Sequence, residues 1–283
     1  MVSRRPSHRG FVARGHAPHP AAADAVRIVL VSAALVAAAS GCRLVNRGGA
    51  VAPELADARR LCNEGLSAAD RDDLGRAEAL LARAVKRCPG DVDARRHYAD
   101  VLWRHGDRTE AIGQIAAALE LSPADAGLCI EAGRMYLDLG LLNDAERLAA
   151  EAVRLAPRTA GAWRLHGQVA MARGQFEAAV ADLHRALAID GDDGEALADT
   201  ARAYLALGRP RRVLATLAVL DEGHPADGLP GDLLALEARA EEALGRPTEA
   251  AAAWRRALAK GGAPPDAAAR LAALEAGVAP LRR

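Results

Sequence analysis

Pro89, Pro123 and Pro157 stand 34 residues apart, Gly191 takes the next place in that series and Pro225 the one after. A helix breaker that returns at a fixed interval means one short structural unit repeated along the chain. A unit of this length cannot bury its apolar face alone and must stack on its neighbours. The same register places Asp91, Asp125, Thr159, Asp193 and Asp227 two residues after each breaker. These side chains accept hydrogen bonds from the free N–H groups of a first helical turn, so each unit opens on a helix start. Fifteen residues further on stand Gly106, Gly140, Gly174 and Gly208, with Asp72 at the equivalent place in the first unit. Glycine suits the left-handed residue that ends a helix, so each unit reads as helix, tight turn, helix.

The apolar positions repeat as well. Ala77, Ala111, Ala145 and Ala179 mark one site per unit, and Ala84, Ala118, Ala152 and Ala186 mark another seven residues later. Between them lie Leu81, Ile115, Ala149 and Leu183, and the first helices carry Gly65, Ala99, Gly133, Gly167 and Ala201. Spacings of three, four and seven gather such residues on one helical face. Small residues let paired helices approach, and the larger ones fill the space between them. Hydrophobic residues make up 51 % of the chain but aromatic ones only 3 %, so the apolar mass is Ala, Leu and Val. Ala and Leu favour helix, and the chain is predicted to be all-α.

This pattern resembles the tetratricopeptide repeat. The fourth unit reads AWRLHGQVAMARGQFEAAVADLHRALAIDG from Ala162, with Trp163, Gly167, Ala179, Leu183 and Ala186 on signature positions. The resemblance implies an α-solenoid, a right-handed superhelix of six helix-turn-helix units at 58–91, 92–125, 126–159, 160–193, 194–227 and 231–264. The sixth follows the insertion Gly228-Leu229-Pro230 and carries Gly245, Ala250, Trp254 and Ala257 on the pattern. Residues 265–283 are expected to form a capping helix with Leu271 and Leu274 on its apolar face, then a short tail. The fifth unit departs from the pattern, because Val213 and Leu220 replace the two small residues and Pro210 follows the turn. That departure predicts an altered stacking angle around 210–231.

Ahead of the repeats, Arg4, Arg5, Arg9, Arg14 and Arg27 face only Asp24, and Ile28 to Ala39 runs apolar and uncharged. A basic region, an apolar core and small residues follow the order of a secretory signal, here 1–41. The apolar run of 12 residues falls short of the roughly 20 that span a bilayer, so export fits it better than an uncleaved anchor. Ala39-Ser40-Gly41-Cys42 resembles the lipobox of bacterial lipoproteins, with Ala39 where that family usually has Leu. The resemblance implies cleavage before Cys42 and lipidation of its thiol; the alternative is an ordinary cleavage site beside an incidental Cys. Arg43, in place of the Asp that retains such proteins at the inner membrane, implies the outer membrane of a Gram-negative envelope, facing the periplasm. A soluble periplasmic or secreted protein is the alternative. Residues 42–57, with Gly48, Gly49 and Pro53, are expected to tether the repeats to the lipid.

Lys+Arg and Asp+Glu each number 37, and loss of 1–41 removes five Arg and one Asp, leaving 32 basic against 36 acidic residues. Bulk charge therefore supplies no attraction to nucleic acid or anionic lipid. No HExxH, CxxC, phosphate loop or nucleophile elbow occurs in the sequence. Asp93, His97 and Asp100 share a helix face, but three ligands on one helix leave most of a coordination shell unfilled. We expect no catalytic residue, metal or cofactor. Cys62 and Cys88 fall at the same end of an antiparallel helix pair, where export would permit a disulfide; two small buried hydrophobes are the alternative.

In tetratricopeptide repeats the first helix of each unit lines an inner groove. Carried onto this sequence, those positions give one row of Cys62, Arg96, Ile130, Arg164, Ala198 and Ala235. A second row holds Leu66, Asp100, Arg134, Gln168, Arg202 and Arg239. An arginine stripe suits carboxylates of a partner peptide, whereas Asp100, Glu131 and Asp199 could instead neutralise it internally. Trp103 points to the groove by register, either as a binding anchor or as packing against the next unit. The carboxylate clamp of chaperone-binding repeats is not matched, since Cys62, Leu66 and His97 occupy its places. The resemblance implies a non-catalytic scaffold for a protein or peptide partner in an envelope assembly: pilus, secretion, outer-membrane or exopolysaccharide export. A self-associating solenoid, or a substrate-recruiting enzyme subunit, are the competing readings. Replacing Cys42 by Ser is expected to release the chain from the membrane fraction; its retention there would argue against a lipid anchor.

Overall fold

The side chain of Asp91 accepts a hydrogen bond from the amide of Ala94 (3.1 Å), Asp125 from that of Leu128 (3.1 Å) and Asp193 from that of Ala196 (3.0 Å). Each starts a helix by satisfying a donor that has no partner within the helix. Thr159 stands at the equivalent place without a side-chain bond. These helices belong to a computed structural model that describes residues 53–223 and 228–277, within the compact unit Ala52–Arg283. The signal-like segment 1–41, Cys42, Asp227 and the tail after 277 lie outside the described residues.

Thirteen helices and no strands occur among the described residues. They form six antiparallel pairs: α1 (Pro53–Ala69) with α2 (Leu74–Arg87), α3 (Val92–His105) with α4 (Arg108–Leu121), and α5 (Ala126–Asp138) with α6 (Leu142–Leu155). Next come α7 (Ala160–Ala172) with α8 (Phe176–Ile189), α9 (Gly194–Ala206) with α10 (Pro210–Gly223), and α11 (Gly231–Ala243) with α12 (Pro247–Lys260). The helix α13 (Ala267–Glu275) packs on α12. Each pair also touches the first helix of the next, so the pairs stack into an all-α solenoid. The first helix begins at Pro53, inside the stretch expected to be tether. Proline is tolerated there because a first-turn residue needs no amide donor.

Gly106, Gly140, Gly174 and Gly208 all adopt positive φ at the turn inside a pair, and Asp72 takes the same conformation at φ 61°. Aspartate is one of the few residues with a side chain that tolerate it.

Between paired helices the small residues are fully buried: Ala77, Ala111, Ala145 and Ala179, and likewise Ala84, Ala118, Ala152 and Ala186. A Cβ added at Gly65 would lie 2.8 Å from Leu81 Cγ, and one at Gly167 would lie 2.9 Å from Leu183 Cγ. In the third pair the residue between the two alanines is Ala149, too small to fill that space. Leu165 of α7 reaches back to within 2.6 Å of where a Cβ of Gly133 would be. The missing volume is thus supplied by the next unit. In the sixth pair the same register position holds Trp254, fully buried, its indole N–H donating to Glu242 Oε1 (2.6 Å). Val213, Leu217 and Leu220 are buried in one continuous core with Leu233, Leu234, Trp254 and Ala267, while Leu271 and Leu274 pack against its edge. The larger residues of the fifth unit thereby join the last two pairs and the terminal helix into one apolar cluster.

At the start of α11 the backbone meets the end of α12 directly: a Cβ on Gly231 would lie 1.8 Å from the carbonyl oxygen of Gly261. Gly231→Ala is expected to destabilise the fold by about 1–3 kcal/mol, because backbone must move. Gly113→Ala, exposed in α4 with nothing within 4 Å, should stabilise by about 0.5–1 kcal/mol. Urea unfolding midpoints of the two variants check both signs.

Candidate binding face

The first helices of successive pairs, α1, α3, α5, α7, α9 and α11, carry the charged residues read from the register. Arg96 on α3 donates to both carboxylate oxygens of Glu131 on α5, with Nε 2.7 Å from Oε2 and 2.9 Å from Oε1. Arg164 on α7 donates to Asp193 Oδ1 (3.1 Å), the cap of α9, and to Glu195 in its first turn. Arg202 on α9 bridges Asp199 Oδ1 (2.9 Å) on its own helix and Asp232 Oδ2 (2.8 Å) at the start of α11. Arg239 on α11 reaches Asp266 Oδ1 (3.4 Å), just before α13. Gln168 donates to Asp199 Oδ2 (2.7 Å).

The pattern is a ladder: an arginine of one first helix bonds a carboxylate on or just before the first helix that follows. Helix N-termini favour the carboxylates of Asp193, Glu195, Asp232 and Asp266, since their free N–H groups carry partial positive charge; Glu131 lies one turn further into α5. The Arg164–Asp193 pair is the most enclosed, with side chains only 12 % and 11 % exposed. Arg164 Nε is buried without a hydrogen-bond partner, so this arginine depends on its terminal nitrogens alone.

Arg134 breaks the ladder. It is half-buried and makes no ion pair among the described residues, because the helix facing it opens on Thr159, Ala160 and Gly161 instead of an acid. Asp100 is exposed and likewise without an ion pair. Trp103 is half-buried, packed against the cores on both sides of it, with the Arg108 guanidinium 5.1 Å from its ring centre. It joins neighbouring units.

No disulfide joins Cys62 to Cys88 in this structure. Cys62 is half-buried, and burial followed by the nearby Asp91 and Asp93 carboxylates raises its thiol pKa. Cys88 is buried and ends α2, its amide donating to the carbonyl of Ala84 (3.0 Å). A cluster that the register did not reveal joins Glu78 of α2 to His105 and Asp107 at the α3–α4 turn. His105 Nδ1 lies 2.7 Å from Glu78 Oε2 and 3.5 Å from Asp107 Oδ2. Glu78 stands a helix away in sequence, so only pair packing brings it to the histidine.

Between α7, α9 and α11 lies a cleft of about 750 Å³. Its charged walls are Arg164, Asp193, Glu195, Asp199, Arg202 and Asp232, with Gln168 among them. Ala198, Leu220, Leu229 and Leu233 add apolar surface. Register placed Arg164, Gln168 and Arg202 here. It missed Leu220, which comes from a second helix, and Leu229, which comes from the insertion.

Profiles of the tetratricopeptide repeat match residues 62–126, 130–193 and 170–237, more than half of the chain. No curated protein matches the sequence. Among solved structures, a chain of the APC/C hetero-tetramer Cut9-Hcn1 superposes with a TM-score of 0.69 at 16 % identity, over 78 % of this chain and 43 % of that one. The chain thus spans less than half the length of that relative. Pseudomonas aeruginosa pilF gives a TM-score of 0.62 at 16 % identity over 72 % of this chain and 91 % of its own. PilW, titled a type IV pilus biogenesis factor, gives 0.66 at 20 % identity over 71 % and 92 %. At these identities the likeness is one of fold.

Arg164→Ala leaves Asp193 enclosed without its partner and is expected to cost about 1–3 kcal/mol. Arg255→Ala, on α12, whose pair with Glu275 is open to water on both sides, should cost under about 1 kcal/mol. Denaturant unfolding of the two variants distinguishes these magnitudes.

Proposed function

Because this chain belongs to the tetratricopeptide repeat family, we propose that it is a non-catalytic adaptor that holds an extended segment of a protein partner along the face of its first helices. The family is generally a scaffold for protein interaction, and its profiles cover residues 62–126, 130–193 and 170–237. The observation that carries the reading is the open cleft of about 750 Å³ between α7, α9 and α11, lined by polar and charged side chains of three successive first helices. Arg134 adds a cation on the same set of helices that no internal carboxylate neutralises, and an acidic group of the partner is its expected counterpart.

The setting we propose is the cell envelope, with Cys42 lipidated at the outer membrane and the repeats facing the periplasm. Two features support it: the signal-like residues 1–41 ending in Ala39-Ser40-Gly41-Cys42, and the shared fold of PilF and PilW. No helix among the described residues is long and apolar enough to cross a membrane. An assembly such as a pilus or export machine is the expected partner system.

Affinity capture from envelope extract with the full chain tests this, beside the same chain carrying Arg134→Glu or Arg83→Glu. Arg83 is exposed on α2, a second helix, and serves as the control. A protein weakened by Arg134→Glu and unaffected by Arg83→Glu is the expected result. Equal recovery with all three baits would move the binding surface away from Arg134.

A further inference from the structure

We infer that the cleft between α7, α9 and α11 receives a basic segment of the partner, a Lys or Arg side chain next to an apolar one, and not an acidic one. The inference rests on the proposal that the first-helix face is the binding face. It reverses the expectation that an arginine stripe reads carboxylates, and the reason lies in how the arginines are used.

Two guanidiniums and four carboxylates wall the cleft. Each guanidinium is shared between two carboxylates: Arg164 between Asp193 and Glu195, Arg202 between Asp199 and Asp232. One formal negative charge is left over per arginine. The carboxylates are also the more open groups. The Glu195 side chain is 71 % exposed and that of Asp232 is 51 % exposed, against 41 % for Arg202, whose two terminal nitrogens already hold Asp199 and Asp232, and 12 % for Arg164. An incoming carboxylate would have to displace an internal one to reach Arg164, or to take over the terminal nitrogens with which Arg202 holds Asp199 and Asp232. An incoming ammonium or guanidinium finds unshared lone pairs on Glu195 and Asp232 without breaking anything.

The N-termini of α9 and α11 would otherwise draw an anion. They are already occupied, since Asp193 caps α9 and Glu195 and Asp232 stand in the first turns of α9 and α11. An apolar neighbour to the cation is favoured by the edges of Ala198, Leu220, Leu229 and Leu233, which line the cleft but belong to the helix core and expose only 4–7 % of their surface. Long basic side chains also bury their methylene stems against such surface while keeping the charge at the rim.

The probe is an array of otherwise neutral peptides whose central pair is Lys-Leu, Glu-Leu, Lys-Ser or Ser-Leu, incubated with the full chain at low salt. Lys-Leu peptides are expected to be retained most strongly. Glu195→Gln combined with Asp232→Asn should weaken that retention about three- to tenfold, and added salt should weaken it for the wild type. If the double variant melts below the wild type, Glu195→Gln alone, at the most exposed of these side chains, replaces it. Preference for Glu-Leu, or a Lys-Leu preference that the neutralised variant keeps, overturns the inference. Lys-Leu binding lost on Arg134→Glu but kept by the neutralised variant overturns the cleft assignment while leaving the first-helix face as the binding face. An array that retains no peptide counts against both.

Discussion

The fold depends on how closely two helices can cross. At Gly65 and Gly167 there is no room for a methyl group beside the leucine of the partner helix, and the alanines flanking that leucine are fully buried. Close crossing lets a short pair bury nearly all of its apolar face with aliphatic side chains alone. It also leaves each pair with a second apolar edge that only another pair can cover, so stacking follows from the same residues that make the pair. The third pair makes this dependence plain: its own filler is Ala149, and Leu165 of the next unit occupies the space instead.

Stacking in turn decides what the arginines do. Bringing the start of one first helix beside the flank of the previous one places Glu131, Asp193, Asp232 and Asp266 within reach of Arg96, Arg164, Arg202 and Arg239. A stripe that looks cationic in sequence becomes a series of ion pairs between units. Most are open to water and contribute modestly, so their main effect is on the register of the stack and on the sign of the face. The exception at Arg134 and the acidic excess of the cleft are the two places where that neutralisation is incomplete.

Much of the architecture was legible because it is local. Asp91, Asp125 and Asp193 cap the helices expected of them, Asp72 takes the positive φ of the glycines it replaces, and Leu271 and Leu274 pack as the terminal helix requires. The candidate site was legible only in outline. Register placed Arg96, Arg134, Arg164, Arg202 and Arg239 on first helices but not their partners. An acid some thirty residues after each arginine, at or one turn into the next helix, was the signal that could have separated Arg134 from the rest. Register left Trp103 open between a groove anchor and packing against the next unit, and its ring lies against the cores on both sides.

The sequence by itself determined the period, the helix starts, the turns and the residues at each crossing. All of these follow from backbone hydrogen bonding and from spacings within a single turn or pair. Only the tertiary structure decided which charges are spent, which gap Leu165 fills, and that Leu220 and Leu229 line a cleft with residues from three first helices. Those outcomes depend on side chains a whole unit apart meeting across a packed interface, where distance in space is set by the stack and not by separation along the chain.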